Sequence, residues 1–205
     1  MTISDGGTFS VPTSGGISAP STNNVTVLNS SINTALNNGN SVTLQTSGGN
    51  GGSGNITVAA NIAKTTGAAS SLTLQADSAI VVNAGVTISD TSASALSLNL
   101  QAAGPIRFAD NAANTQSVDI HGALYLGGKA GGATQATGNA TYSEGIYVGN
   151  NTALSAASMT LRGQGAARST GLKLGTAASL AASGAVAVIG IGGQGGAGST
   201  GSTGS

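Results

Sequence analysis

Six carboxylates, one imidazole and three phenols are most of the reactive chemistry in this 205-residue chain. It has no cysteine and no tryptophan, so thiolate nucleophiles, disulfides and cysteine-bound metals are excluded at once. The acids are Asp5, Asp77, Asp90, Asp110, Asp119 and Glu144, and no two stand closer than nine positions. Cleavage of polysaccharides needs two carboxyls facing each other across one groove. Only a fold that stacks distant segments could supply that, for example by bringing Asp77 to Asp110 or Asp119. Closing turns and capping loops is the commoner use of lone acids, and it is the expectation here. His121 follows Val118-Asp119-Ile120, and residues two apart on a strand point to one side. Asp119 and His121 therefore read as a solvent-facing pair, because no triad partner or further metal ligand stands nearby. No enzyme activity, metal or cofactor is expected.

The remaining polar motifs are weighed in the same way. Gly-rich runs at 48–54 and 190–198 lack the Gly-Lys-Ser/Thr of a phosphate-binding loop. Tyr125, Tyr142 and Tyr147 cluster around the longest gap in the apolar pattern, residues 127–145. They can pack the base of that loop or contact a glycan or host protein, as exposed aromatics do at hot spots. Thr26, Thr43, Thr57, Thr73, Thr87 and Thr160 each sit between two apolar residues. An ice-binding ladder would want Thr-x-Thr on one strand, which is absent, so β-propensity is the simpler account. Asn-x-Ser/Thr sequons at Asn24, Asn29, Asn55, Asn139 and Asn150 are about as many as chance gives in so Asn-, Ser- and Thr-rich a chain.

The elements that must position these residues are short. From Gly54 to Ala103 the triplets Ile56-Thr57-Val58, Leu72-Thr73-Leu74, Val86-Thr87-Ile88 and Leu96-Ser97-Leu98 recur between Gly, Ala, Ser, Asn and Asp. Period-2 alternation between turn formers predicts strands with one buried face. The phrase Ser41-Val42-Thr43-Leu44-Gln45 returns thirty positions later as Ser71-Leu72-Thr73-Leu74-Gln75, as stacked turns would require. The pattern starts at Val25 and is carried through Ile32 and Leu36. Further strands are predicted at Ile106–Phe108, Val118–Ile120, Ala123–Leu126, Ile146–Val148, Met159–Leu161, Leu172–Leu174 and Ala185–Val188. Corners fall at 46–55, Asn83-Ala84-Gly85 and Gly104-Pro105, where Gly and Asn tolerate positive φ. Residues 127–145 bulge from the coil.

Composition agrees. Charged residues are only 6% of the chain and aromatics 2%, against 34 glycines, which suits a narrow interior of stacked Val, Ile, Leu and Ala rather than a large globular core. The formal net charge is zero, so there is no basic footprint for nucleic acid, and no apolar run approaches the ~20 residues of a membrane-spanning helix. The expected fold is all-β, a single right-handed parallel β-helix (β-solenoid). Residues 1–24 form a lead-in or edge segment, 25–193 the coil, and 194–205 a flexible Gly/Ser/Thr tail. Eight to ten turns would make a rod of roughly 40–50 Å.

The order of Asn37-Asn38-Gly39, Val42-Thr43-Leu44, Gly54-Asn55-Ile56-Thr57-Val58, Ser71-Leu72-Thr73-Leu74-Gln75-Ala76-Asp77, Ile80-Val81-Val82-Asn83 and Ala84-Gly85-Val86 resembles the repeat region of filamentous-haemagglutinin-like and high-molecular-weight adhesins. The likeness covers residues 35–103, while 104–193 match in style. It implies a structural shaft segment of a secreted or surface-exposed Gram-negative adhesin, with an outer-membrane transporter as the parent protein's partner in two-partner secretion. The family's secretion domain carries Asn-Pro motifs. None occurs here, and the N-terminus lacks the basic and apolar regions of a signal peptide, so an internal segment of a longer exported chain is expected. The alternative is a glycan- or host-protein-binding module using loop 127–145. A polysaccharide-active enzyme and an ice-binding solenoid rank lower. Open strand edges at either end would allow end-to-end self-association.

Overall fold

The computed structural model describes residues 1–18, 25–46, 53–113 and 116–194. The alternating segments form strands, and three of them complete one turn of a coil. The chain opens with β1 (Thr2–Ser4), β2 (Gly16–Ser18) and β3 (Thr26–Leu28), then α1 (Asn29–Asn37) and β4 (Val42–Gln45). Each later turn lays one strand on sheet 1, one on sheet 2 and one on sheet 3. These are β5 (Ile56–Val58), β6 (Ile62–Lys64) and β7 (Ser70–Ala76), followed by β8 (Ile80–Val82), β9 (Thr87–Asp90) and β10 (Leu96–Ala102). Next come β11 (Ile106–Phe108), β12 (Gln116–Asp119), β13 (Ala123–Gly127) and the two-residue β14 (Ala136–Thr137). The last two turns hold β15 (Ile146–Val148), β16 (Thr152–Ala156) and β17 (Ser158–Gln164), then β18 (Leu172–Leu174), β19 (Ser179–Ala182) and β20 (Val186–Ile191).

Sheet 1 runs β18-β15-β11-β8-β5-β1-β3, sheet 2 β19-β16-β12-β9-β6, and sheet 3 β14-β17-β13-β10-β7-β4-β2 with β20 beside β17. The pairings are parallel, and the result is a parallel β-helix of about seven turns. At ~4.8 Å per layer the seven strands of sheet 1 span about 30 Å. That is shorter than eight to ten turns would be, because the helix and the outward excursions use chain without adding layers.

Register follows from side-chain size. Leu72, Leu98, Leu124 and Met159 stack in one inward column, and Ile56, Ile80, Ile106 and Ile146 stack in another. All eight are essentially buried, and each such side chain contributes about 1.5–3 kcal/mol of burial. The five-residue phrase read from the sequence is a true repeat: Val42 lies on Leu72 and Gln45 on Gln75, and the Ser71 N–H donates to the Ser41 hydroxyl at 3.1 Å. Outside the coil, Gln75 continues the ladder by donating to Gln101 at 3.1 Å. Gly85 turns the corner after Asn83 with φ +77°.

Three features differ from the sequence reading. First, Ile32 and Leu36 belong to a helix. With Ala35 they follow i, i+3, i+4 spacing, and all three are fully buried. The helix takes the place of a sheet 2 strand beyond β6. Asn29, Asn33 and Asn37, each four apart, meet the β6 region: the Asn29 amide donates to the Asn61 carbonyl at 3.0 Å, Asn33 accepts from the Ala63 N–H at 3.1 Å, and Asn37 accepts from the Thr65 N–H at 2.7 Å. Four helical residues rise about 6 Å and two strand residues about 6.6 Å, so the two rows stay in step. Gly39 ends the helix with φ +76°, and its N–H donates to the Leu36 carbonyl at 3.0 Å.

Second, the lead-in holds more than an edge: β1 lies between β3 and β5, while β2 is an edge strand of sheet 3 and Phe9 bridges Val27 of the terminal strand β3. Third, inward positions of the last described turn are not buried: Leu174, Val186 and Val188 lie on buried Val148, Met159 and Leu161 but are 45–52% exposed, with no described layer over them. Residues 47–52 of the glycine-rich corner, Asn24, and the tail from residue 195 onward lie outside the described residues.

Leu98 touches its counterparts above and below, so Leu98→Ala should cost about 2–5 kcal/mol in urea unfolding. A loss under about 1 kcal/mol would mean that these columns do not carry the fold.

Candidate functional site

Sheet 1 sets its middle residues outward, and register aligns Thr57, Val81, Arg107, Tyr147 and Lys173 in one surface column. The Arg107 guanidinium stacks over the Tyr147 ring at 4.2 Å and the Tyr142 ring at 5.1 Å, and Lys173 approaches Tyr147 at 5.5 Å. Covered in this way, Tyr147 is only 7% exposed although it points away from the core. Its hydroxyl donates to Asp110 Oδ1 at 2.5 Å, and the Asn150 N–H donates to the same oxygen at 2.9 Å. Lys173 pairs with Glu144 at 3.1 Å.

These bonds fix the protonation states. The Asn150 N–H, then the Tyr147 hydroxyl, hold the Asp110 carboxyl below its ordinary value. Burial works against ionisation of Glu144, but its own backbone N–H and Lys173 outweigh it and lower that carboxyl too. Burial, then donation to Asp110, pushes the Tyr147 phenol up.

The three tyrosines do not form one site. Tyr142 and Tyr147 meet through Arg107. Tyr125 lies on sheet 3, in register with Asn99 and Thr160, and its hydroxyl reaches the Thr134 carbonyl at 3.5 Å. There it closes the base of the first excursion, residues 128–135. The 127–145 loop is in fact two excursions, because β14 rejoins sheet 3 between them by pairing with Gly163 and Gln164.

The second excursion, residues 138–145, arches beside sheet 1 and walls a groove of ≈ 400 Å³. Thr57 and Val81 form its floor, with Asn55 and Asn83 at the sheet corners and Asn139, Thr141 and Tyr142 on the wall. Asn139 Oδ1 accepts the Thr141 and Tyr142 N–H groups, both at 2.9 Å, which fixes that wall.

The acids go to separate corners. Asp77 follows β7 and pairs with Lys129. Asp110 follows β11, and Asp119 ends β12, exposed like His121. Asp77 therefore stands on a different corner from both Asp110 and Asp119, and the imagined carboxylate pairs are not assembled. The threonines divide likewise: Thr26 and Thr57 flank Thr2 on sheet 1, Thr43, Thr73 and Thr160 lie on sheet 3, and Thr87 lies on sheet 2. Asn99 and Tyr125 interrupt the sheet 3 row between Thr73 and Thr160.

One polar cluster was missed. Lys64 and Asp90 are register partners inside the coil, both buried. Lys64 Nζ donates to the Ser92 hydroxyl at 2.5 Å and the Ser94 carbonyl at 2.9 Å. Asp90 accepts from the Ser92 hydroxyl at 2.6 Å, the Ser92 N–H at 3.0 Å and the Leu96 N–H at 2.7 Å. Burial opposes its ionisation, but the Ser92 hydroxyl and the Leu96 and Ser92 N–H groups prevail, aided by the Lys64 charge, and hold the carboxyl below its ordinary value. His121 Nδ1 stands 3.7 Å from Asp90 Oδ2 with its ring largely in solvent. The signal was phase: Lys64 is two residues from inward Ile62. Sealed from solvent, Lys64 and Asp90 can hold the coil but cannot meet a substrate.

Among the described residues, no three of His, Asp and Glu gather as metal ligands would. No protein-family model, no curated protein and no solved structure matches the chain.

Asp90→Ala should cost about 3–5 kcal/mol in urea unfolding, because it strands a buried ammonium. A depressed carboxyl contributes stability that is complete above its unfolded value, ~3.9, and is lost as pH falls through the lower folded value. The gap between wild type and variant should therefore shrink only in acid below that range, and a gap that does not change with pH would refute the assignment. In Tyr125→Phe/Tyr142→Phe protein, absorbance at alkaline pH should place Tyr147 above the ordinary tyrosine value, with Asp110→Asn bringing it back down. An ordinary midpoint in the double variant would contradict the Asp110 bond.

Proposed function

We propose that this chain is a length of rigid shaft from a secreted or surface-exposed adhesin of a Gram-negative bacterium, delivered by two-partner secretion through an outer-membrane transporter. The coil is a β-solenoid rod, and the observation that carries the reading is its unbroken column of seven parallel strands in sheet 1. Each layer bonds to its neighbours rather than to a central globule, so stiffness accumulates with length. Such a chain can pass a pore unfolded and coil up as it emerges, one layer at a time. The repeat phrases within residues 35–103 support the family reading. In this role the segment turns over no substrate and spaces distal binding elements away from the cell.

Placed behind the secretion domain of a two-partner exoprotein, beside the matching transporter, the segment should reach the medium and resist protease once there. Retention in the periplasm, with a control β-solenoid exported normally, would argue against it.

A further inference from the structure

The sheet 1 groove has a chemistry that the shaft role does not require. Its side chains are neutral: amides from Asn55, Asn83 and Asn139, hydroxyls from Thr57 and Thr141, and the Tyr142 ring. The Oδ1 atoms of Asn55 and Asn139 are engaged, accepting the Ala79 N–H at 2.9 Å and the wall N–H groups. That fixes both side chains and leaves their Nδ2 donors turned to no partner among the described residues. The Asn83 amide and the Thr57 and Thr141 hydroxyls are also without one. Arg107 holds the Tyr142 ring by stacking at 5.1 Å.

We propose that this groove binds a neutral saccharide. A pyranose presents an apolar C–H face suited to an aromatic ring, and around it hydroxyls that each donate and accept, matching free amides and hydroxyls. The ≈ 400 Å³ of the groove lies in the lower range of small-ligand sites. Among the described residues that line the groove there is no cation for an anionic ligand to meet, and nearby Arg107 lies by Asp110 and the Tyr rings while Lys173 is paired with Glu144. A nucleotide would bring phosphate to the same deficit. A peptide strand would need a sheet edge, whereas the floor here is a sheet face. Because the wall turn and the ring are fixed before binding, little ordering cost opposes even a small ligand. The inference goes beyond the shaft reading and stands whether or not the chain is exported.

The test is saturation-transfer NMR on the purified chain with maltose, lactose, N,N′-diacetylchitobiose and 3′-sialyllactose, with thermal unfolding as the fold control. At least one neutral disaccharide should receive saturation on its ring C–H protons. Tyr142→Ala should weaken that binding about tenfold or more, and Asn83→Ala, which removes an exposed side chain with no protein hydrogen bond, severalfold. Tyr125→Phe, on the other face, should leave it unchanged. Transfer to none of the sugars, transfer to 3′-sialyllactose alone, or equal binding by wild type and Asn83→Ala of unchanged melting temperature would overturn the proposal.

Discussion

Backbone hydrogen bonding between one turn and the next, at an offset of 26 residues where the coil is most regular (Leu98 on Leu72 and Leu124 on Leu98), is the constraint on which the rest of this protein depends. The core is itself a stack, one buried cluster that runs through the coil from Ile3 to Leu161. Each layer is only as well ordered as the layer beside it, so variation is confined to places that leave the offset intact. The excursions at 128–135 and 138–145 obey that limit, since β14 returns to sheet 3 between them and β15 resumes sheet 1 in register. The surface features described above are consequences: the Arg107–Tyr147–Lys173 column exists because register stacks three middle positions that happen to attract one another.

Aliphatic columns alone specify register weakly. Sliding one turn by two residues would still set apolar side chains inward, because the alternation has period 2. Lys64 and Asp90 break that degeneracy. A two-residue slip would carry the Lys64 ammonium away from Ser92 and Ser94 and leave a charge buried without acceptors. The buried polar pair is thus a specificity device placed near the start of the regular coil, at some cost in desolvation.

How far the sequence could be read follows the same physics. Apart from β1, β2 and β14, strands on sheets 1 and 3 were visible because their inward positions are mostly Ile, Leu, Val and Met, as in Leu96–Ala102. On sheet 2, β9 and β12 were visible through Val86-Thr87-Ile88 and Val118–Ile120, but β6, β16 and β19 were missed. Its strands turn polar side chains inward, Lys64 on β6 and Gln116 and Thr152 on β12 and β16, and these partner each other: Thr152 donates to Gln116 at 3.0 Å. A pattern search takes such residues as outward and loses the strand. Ile32 and Leu36 were assigned to the strand pattern although four-residue spacing belongs to a helix. At the candidate site, Tyr142 and Tyr147 were picked out, but grouping them with Tyr125 assumed one loop on one face. Asn55 and Asn83 lie far from that loop in sequence, and only the winding of sheet 1 brings them to Asn139.

The position of β1 bears on how this end of the coil is held together. It bonds to β3 on one side and to β5 on the other, and the amino group of Met1 ends on the carbonyl of Asn55, 54 residues along the chain. Among the described strands, β3 and β5 are joined in sheet 1 only through it. A strand that bonds on both sides holds two neighbours in place, so β1 works as a rivet between the residues that precede the regular coil and the coil itself.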